Sequence, residues 1–131
     1  MGETAILPSY VKEINNGQMS ILKHRFTTPK NETINYLLLK MIDSNLIWIG
    51  CQDEACLANL SVAFPSLKSA APGSMLLGNP IEDEFSLTLA TRLAKKYSQQ
   101  FWISAKFETE DQELALSIEV ELRKWLSSVL K

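Results

Sequence analysis

The sequence predicts a single α+β domain: a mostly antiparallel sheet of five or six strands with two long helices on one face and an apolar second face still to be covered. Three observations carry this. The 131 residues suit one domain, since domains cluster at about 100–150 residues. Several segments in the first two thirds alternate or run apolar over strand lengths, whereas two later segments repeat their apolar residues at helical spacing. Finally, two of the expected strands are apolar on both sides, which a sheet covered on one face does not require.

Residues 1–17 mix Gly, Pro and Ser, close on Asn15-Asn16-Gly17, show no sustained apolar period and read as a leader, with the domain at 18–131. From Met19 to Phe26, Met19 and Ile21 point one way and Leu22 and Phe26 the other, as in a strand. Thr27 to Glu32 reads as a loop, Thr33 to Ile42 as a long strand, and Asp43-Ser44-Asn45 as the turn into a strand over Leu46 to Cys51. Ala55 to Phe64 carries both helix and strand formers and is assigned to strand, ahead of a loop from Pro65 to Gly73 and a short apolar piece, Ser74 to Leu77. Asn79-Pro80, followed by Glu82, Asp83 and Glu84, is the chemistry of a helix start, and Phe85, Leu89 and Leu93 recur every four residues. Gln100 to Phe107 alternates, with Phe101, Ile103 and Ala105 opposite Trp102 and Ser104. Thr109 and Gln112 have capping-box spacing, and Leu114, Ile118, Leu122, Trp125 and Val129 form the stripe of a second helix.

Composition argues against several functions. Thirteen Lys and Arg against fifteen Asp and Glu give a net charge of -2 and no field to hold a nucleic acid. No apolar run approaches the roughly 20 residues of a membrane-spanning helix, and the opening residues lack the features of a secretory signal. A cytoplasmic protein, open to the nucleus as well, is expected, with Cys51 and Cys56 as small packing residues rather than a disulfide. His24 is the only imidazole, so neither a metal site nor a histidine-based catalytic pair is expected, and no glycine-rich phosphate loop or other cofactor signature is present. The acidic runs 82–84 and 108–113 lie at helix starts, where the helix dipole accounts for them. Arg92, Lys95 and Lys96 share a helix face, which reads either as a solvated surface or as a docking site for an acidic protein. Trp125 belongs to a core stripe, while Trp48 and Trp102 are open to either core or interface roles.

The surplus of apolar strand surface is the most informative feature. Leu46 and Trp48 oppose Ile47, Ile49 and Cys51, and Leu37, Leu39 and Met41 oppose Ile34, Tyr36, Leu38 and Ile42. Two helices cover one face and no further helix is available for the other. Either the strands close into an internal sandwich or a partner chain supplies the second layer, because large exposed apolar patches mark partner sites.

In order and spacing, Asp43-Ser44-Asn45-Leu46-Ile47-Trp48-Ile49-Gly50, Asn59-Leu60-Ser61-Val62-Ala63 and Ser74-Met75-Leu76-Leu77-Gly78 resemble successive blocks of the proteasome assembly chaperone 4 family. Leu89-Ala90-Thr91-Arg92-Leu93-Ala94-Lys95-Lys96 and Gln100 to Ser104, followed by a long terminal helix, continue the resemblance across about residues 18 to 130. The departures fall in 1–17, 27–32, 52–55 and 65–73. The resemblance implies a non-enzymatic chaperone of the 20S core proteasome with no catalytic, cofactor or metal residues. It would act as a heterodimer with proteasome assembly chaperone 3 and promote formation of the ring of α-type subunits. The fold it implies stacks its sheet on the partner's, with helices outside. Leu37, Leu39, Leu46 and Trp48 are then candidates for the partner interface, and Arg92, Lys95 and Lys96 for contact with an α subunit. Two other readings compete: a small α/β adaptor of a trafficking or signalling complex, and a small enzyme with Cys51 or Cys56 as nucleophile, the latter weakened by the single histidine.

Overall fold

In the computed structural model, the described residues are 10–14, 19–51, 59–65, 72–79, 84–106 and 112–130, with only the backbone of 10–14, 51 and 106. They form strands β1 (Tyr10–Ile14), β2 (Met19–Thr27), β3 (Thr33–Lys40), β4 (Ser44–Cys51), β5 (Leu60–Ala63) and β6 (Gly73–Leu77), helix α1 (Glu84–Tyr97), strand β7 (Gln100–Lys106) and helix α2 (Gln112–Val129). The strands make one sheet in the order β1-β2-β3-β4-β7-β5-β6. Every neighbouring pair is antiparallel except β4 and β7, which run parallel. The mostly antiparallel α+β architecture is therefore as expected, with seven described strands in place of five or six. The additional strand, β1, lies inside the stretch read as a leader. Its five residues gain order by pairing with β2, Tyr10 opposite Lys23 through Ile14 opposite Met19, which no local periodicity announces.

Register assigns the faces. Leu22, Leu38, Ile47, Ile103 and Ser61 align across β2, β3, β4, β7 and β5, and His24, Tyr36, Ile49 and Ala105 form the next row. These side chains meet the helices. The Tyr36 hydroxyl donates to the Ile118 carbonyl of α2 at 3.0 Å, and the buried hydroxyls of Ser61 on β5 and Ser86 on α1 lie 3.0 Å apart. Both helices thus cover the same face, α2 over the β2–β3 side and α1 over β5, β6 and β7. The core between the layers contains Leu38, Ile47, Ile49, Ile103, Leu89, Ile118 and Leu122, all essentially inaccessible, with Trp125 beside them.

The hairpin between β3 and β4 differs from its expected form. The turn occupies 41–43, earlier than Asp43-Ser44-Asn45, and Ile42 sits exposed in it rather than in a strand. The Met41 amide donates to the Ser44 carbonyl at 2.9 Å. Asn45 belongs to β4 because its side chain points into the helix-facing layer, where its amide donates to Gln99 Oε1 at 2.7 Å; a tertiary contact outweighs its turn propensity. Asn59 plays a comparable part just before β5. Fully buried, it accepts from the Ala105 amide at 2.8 Å and donates to the Ala105 carbonyl at 2.7 Å, so its side chain supplies one rung of the ladder beside β7. The helix-start signals at 80–83 and 109–111, Phe107, Cys56 and the Cys51 side chain lie outside the described residues.

Candidate protein-binding faces

The sheet face away from the helices has a graded composition that follows from the same register. One row crosses five strands as Ile21, Leu39, Leu46, Trp102 and Val62 on β2, β3, β4, β7 and β5. At about 4.8 Å per strand this entirely apolar row is about 19 Å long. The next row is Lys23, Leu37, Trp48 and Ser104, and the third begins Arg25, Asn35, Gly50, with Arg25 Nε donating to Asn35 Oδ1 at 3.2 Å. The face passes from apolar through mixed to polar along the strand direction. Ile21, Leu37, Leu39, Leu46, Trp48 and Trp102 are each partly exposed there, while Val62 and Ser104 are buried between them. No described helix lies over this side.

The register of β3 against β4 puts Leu37, Leu39, Leu46 and Trp48 on one surface: Leu37 pairs with Trp48 and Leu39 with Leu46. Trp102 and Ile21 extend it. Alternation already placed Trp102 opposite the core residues of its strand, but only the parallel pairing of β7 with β4 sets it beside Leu46. Trp48 has an unusual posture. Its indole lies along β4 over Gly50, so a Cβ built on Gly50 would fall 2.4 Å from both Cη2 and Cζ2 of the ring.

The helix layer carries the second candidate surface. Lys95 and Lys96 are exposed in the last turn of α1, where cations complement the helix dipole. Arg92, one turn earlier, is engaged across the helix seam: its Nη1 donates to both carboxylate oxygens of Glu119 on α2, at 3.1 and 2.9 Å. Arg123 reaches the same carboxylate at 2.8 Å. Arg92 thus acts as an interhelix tie, and α2 adds Arg123 to the basic surface. Periodicity within α1 alone gave no signal for that, because the link depends on the two helices packing side by side.

The single histidine is engaged within the fold. His24 stacks on Trp125 with ring centroids 5.3 Å apart, and its Nε2 lies 2.7 Å from Glu121 Oε2. This joins β2 to α2 rather than opening onto a cleft. Among the described residues no three His, Cys, Asp or Glu side chains are grouped to hold a metal, and no helix is long and apolar enough to cross a membrane.

The protein is a two-layer α+β domain, with both helices on one side of the sheet and a partly apolar face, not covered by any described helix, on the other. A chain of a crystallised chaperone complex for yeast 20S proteasome assembly has the same fold, with a TM-score of 0.56 over 84% of this chain and 94% of the yeast chain, at 15% identity. The family model for proteasome assembly chaperone 4 matches residues 33–107, more than half of the chain, which therefore belongs to that family. Human proteasome assembly chaperone 4 is 29% identical over 93 residues, 71% of this chain and 74% of the human protein. The mouse protein is 28% identical over the same shares. Membership of a chaperone family implies a non-enzymatic role.

Proposed function

We propose that the chain is a chaperone of 20S proteasome assembly that pairs with proteasome assembly chaperone 3 through its open sheet face and, as that heterodimer, promotes α-ring formation. The observation that carries this reading is the uninterrupted apolar row from Ile21 to Val62, exposed in part on the side the helices leave uncovered. Burying such a row against a second sheet, about 10 Å away, removes apolar area from water without disturbing the helix-side core. The polar end at Arg25 and Asn35 gives the stack a direction, since only one orientation keeps those groups wet.

Family membership and the fold shared with a yeast assembly-chaperone chain support this function. The exposed cations Lys95 and Lys96 are the proposed contact for an α-type subunit, with Arg92 contributing charge while it braces the helices. A chaperone that leaves its product must bind the intermediate more tightly than the finished ring, because only differential affinity biases the assembly equilibrium. A modest electrostatic contact on the helix side and a larger apolar one on the sheet side fit that division.

Co-purification with quantitative mass spectrometry tests the reading. Wild type is expected to bring down proteasome assembly chaperone 3 and α-type subunits. The Lys95→Glu/Lys96→Glu variant is expected to keep the former and lose most of the latter. Retention of α subunits by the double variant rejects the helix contact, and recovery of vesicle or signalling components instead points to an adaptor.

A further inference from the structure

We propose that Gly50 is a positioning residue for docking: by offering no side chain, it lets the Trp48 indole lie down along β4, so that the open face is level enough to stack on the sheet of proteasome assembly chaperone 3. This inference rests on the reading of the open face as the partner surface. It starts from a contact that contributes nothing obvious to the core. Gly50 is buried on the face that lacks helices, and the three atoms nearest to a Cβ placed there all belong to the Trp48 indole.

The backbone does not call for glycine here. Among the described glycines only Gly78 has a positive φ, and Gly50 continues a regular strand, paired with Asn35 on β3 and Lys106 on β7. What glycine provides is room for the ring. Carbon atoms in contact prefer about 3.5–4.0 Å, so an added methyl displaces the indole by about 1 Å or more. The ring has somewhere to go, since Trp48 is partly exposed, and the displacement is outward, into the plane where a second sheet would pack. A gap of about 1 Å over a stacked surface forfeits up to about half of the dispersion attraction across it. Tryptophan is also the residue type on which interface affinity most often concentrates. A small change at Gly50 is thus converted into a mismatch at the centre of the face, two positions away, with the helix-side core untouched.

The test uses the full chain labelled with 5-fluorotryptophan, whose three fluorine resonances report Trp48, Trp102 and Trp125, with Trp48 assigned through Trp48→Phe. Gly50→Ala is expected to move the Trp48 resonance and leave that of Trp125 in place, with the urea midpoint of the free chain near wild type. It is expected to weaken binding to purified proteasome assembly chaperone 3 by about tenfold, a difference of about 1.4 kcal/mol. In a Trp48→Leu background the same substitution is expected to cause no further loss, because no ring remains to be lifted. An unmoved Trp48 resonance overturns the proposal, as does unchanged affinity despite a moved resonance, or an equal loss in the Trp48→Leu background. If Trp48→Leu and Leu39→Ala both bind like wild type, the reading of the face itself fails. The fluorine shift still reports whether Gly50 holds the ring, so the two failures are distinguishable.

Discussion

Asn59 and Glu119 show how single polar side chains hold this fold. Asn59 satisfies both backbone groups of Ala105 in a fully buried position. Asn59→Ala orphans a buried N–H and a buried C=O at an expected cost of about 1–3 kcal/mol each, read as a lower urea midpoint with an unchanged slope. Glu119 is a surface case. Its carboxylate is only 13% exposed, but its partners Arg92 and Arg123 are 55% and 52% exposed, so solvent screens the attraction. Glu119→Gln is expected to cost no more than about 1 kcal/mol, with the difference shrinking in high salt. The same geometry explains why Lys95 and Lys96 are the better probes of the proposed α-subunit contact. A charge reversal at Arg92 would set two carboxylates against each other across the helix seam and confound binding with stability.

At the scale of the element, β3 separates the two roles of the sheet along eight residues. Ile34, Tyr36 and Leu38 face the helices and are fully buried, whereas Leu37 and Leu39 face the open side and are partly exposed. Leu38→Ala is expected to destabilise the isolated chain by about 2–5 kcal/mol, since it removes contacts and leaves a cavity. Leu37→Ala and Leu39→Ala are expected to cost less than about 1 kcal/mol in the isolated chain while weakening pairing. Chemical denaturation alongside partner titration checks the contrast; equal losses of stability at positions 37 and 38 would remove the distinction between the faces. Much of this was legible before the structure, because a period of two places Leu37, Leu39, Leu46 and Trp48 on definite sides of their strands whatever their neighbours are. What was not legible depends on long-range partners. β1 forms because β2 offers an edge, Asn45 leaves the turn for Gln99, and Trp102 meets Leu46 through a parallel pairing across more than fifty residues. Arg92 is likewise held by a helix remote from its own, so its engagement was not readable from the spacing of α1.

For the molecule as a whole, the sheet is a shared layer. Its helix side completes a core within the chain, and its open side carries apolar area that a second molecule is proposed to cover. A free chain with that surface exposed is expected to self-associate with rising concentration in sedimentation velocity, and addition of proteasome assembly chaperone 3 is expected to collapse this to one defined species. A free chain that stays monomeric at all concentrations and ignores the partner would contradict the pairing. The most direct measurement is hydroxyl-radical footprinting of side chains with and without proteasome assembly chaperone 3. Trp48, Trp102, Leu37 and Leu39 are expected to lose reactivity on complex formation, while Leu116 and Val120, exposed on α2, keep theirs. Unchanged reactivity on the open sheet face, with protection confined to the helices, would contradict the account.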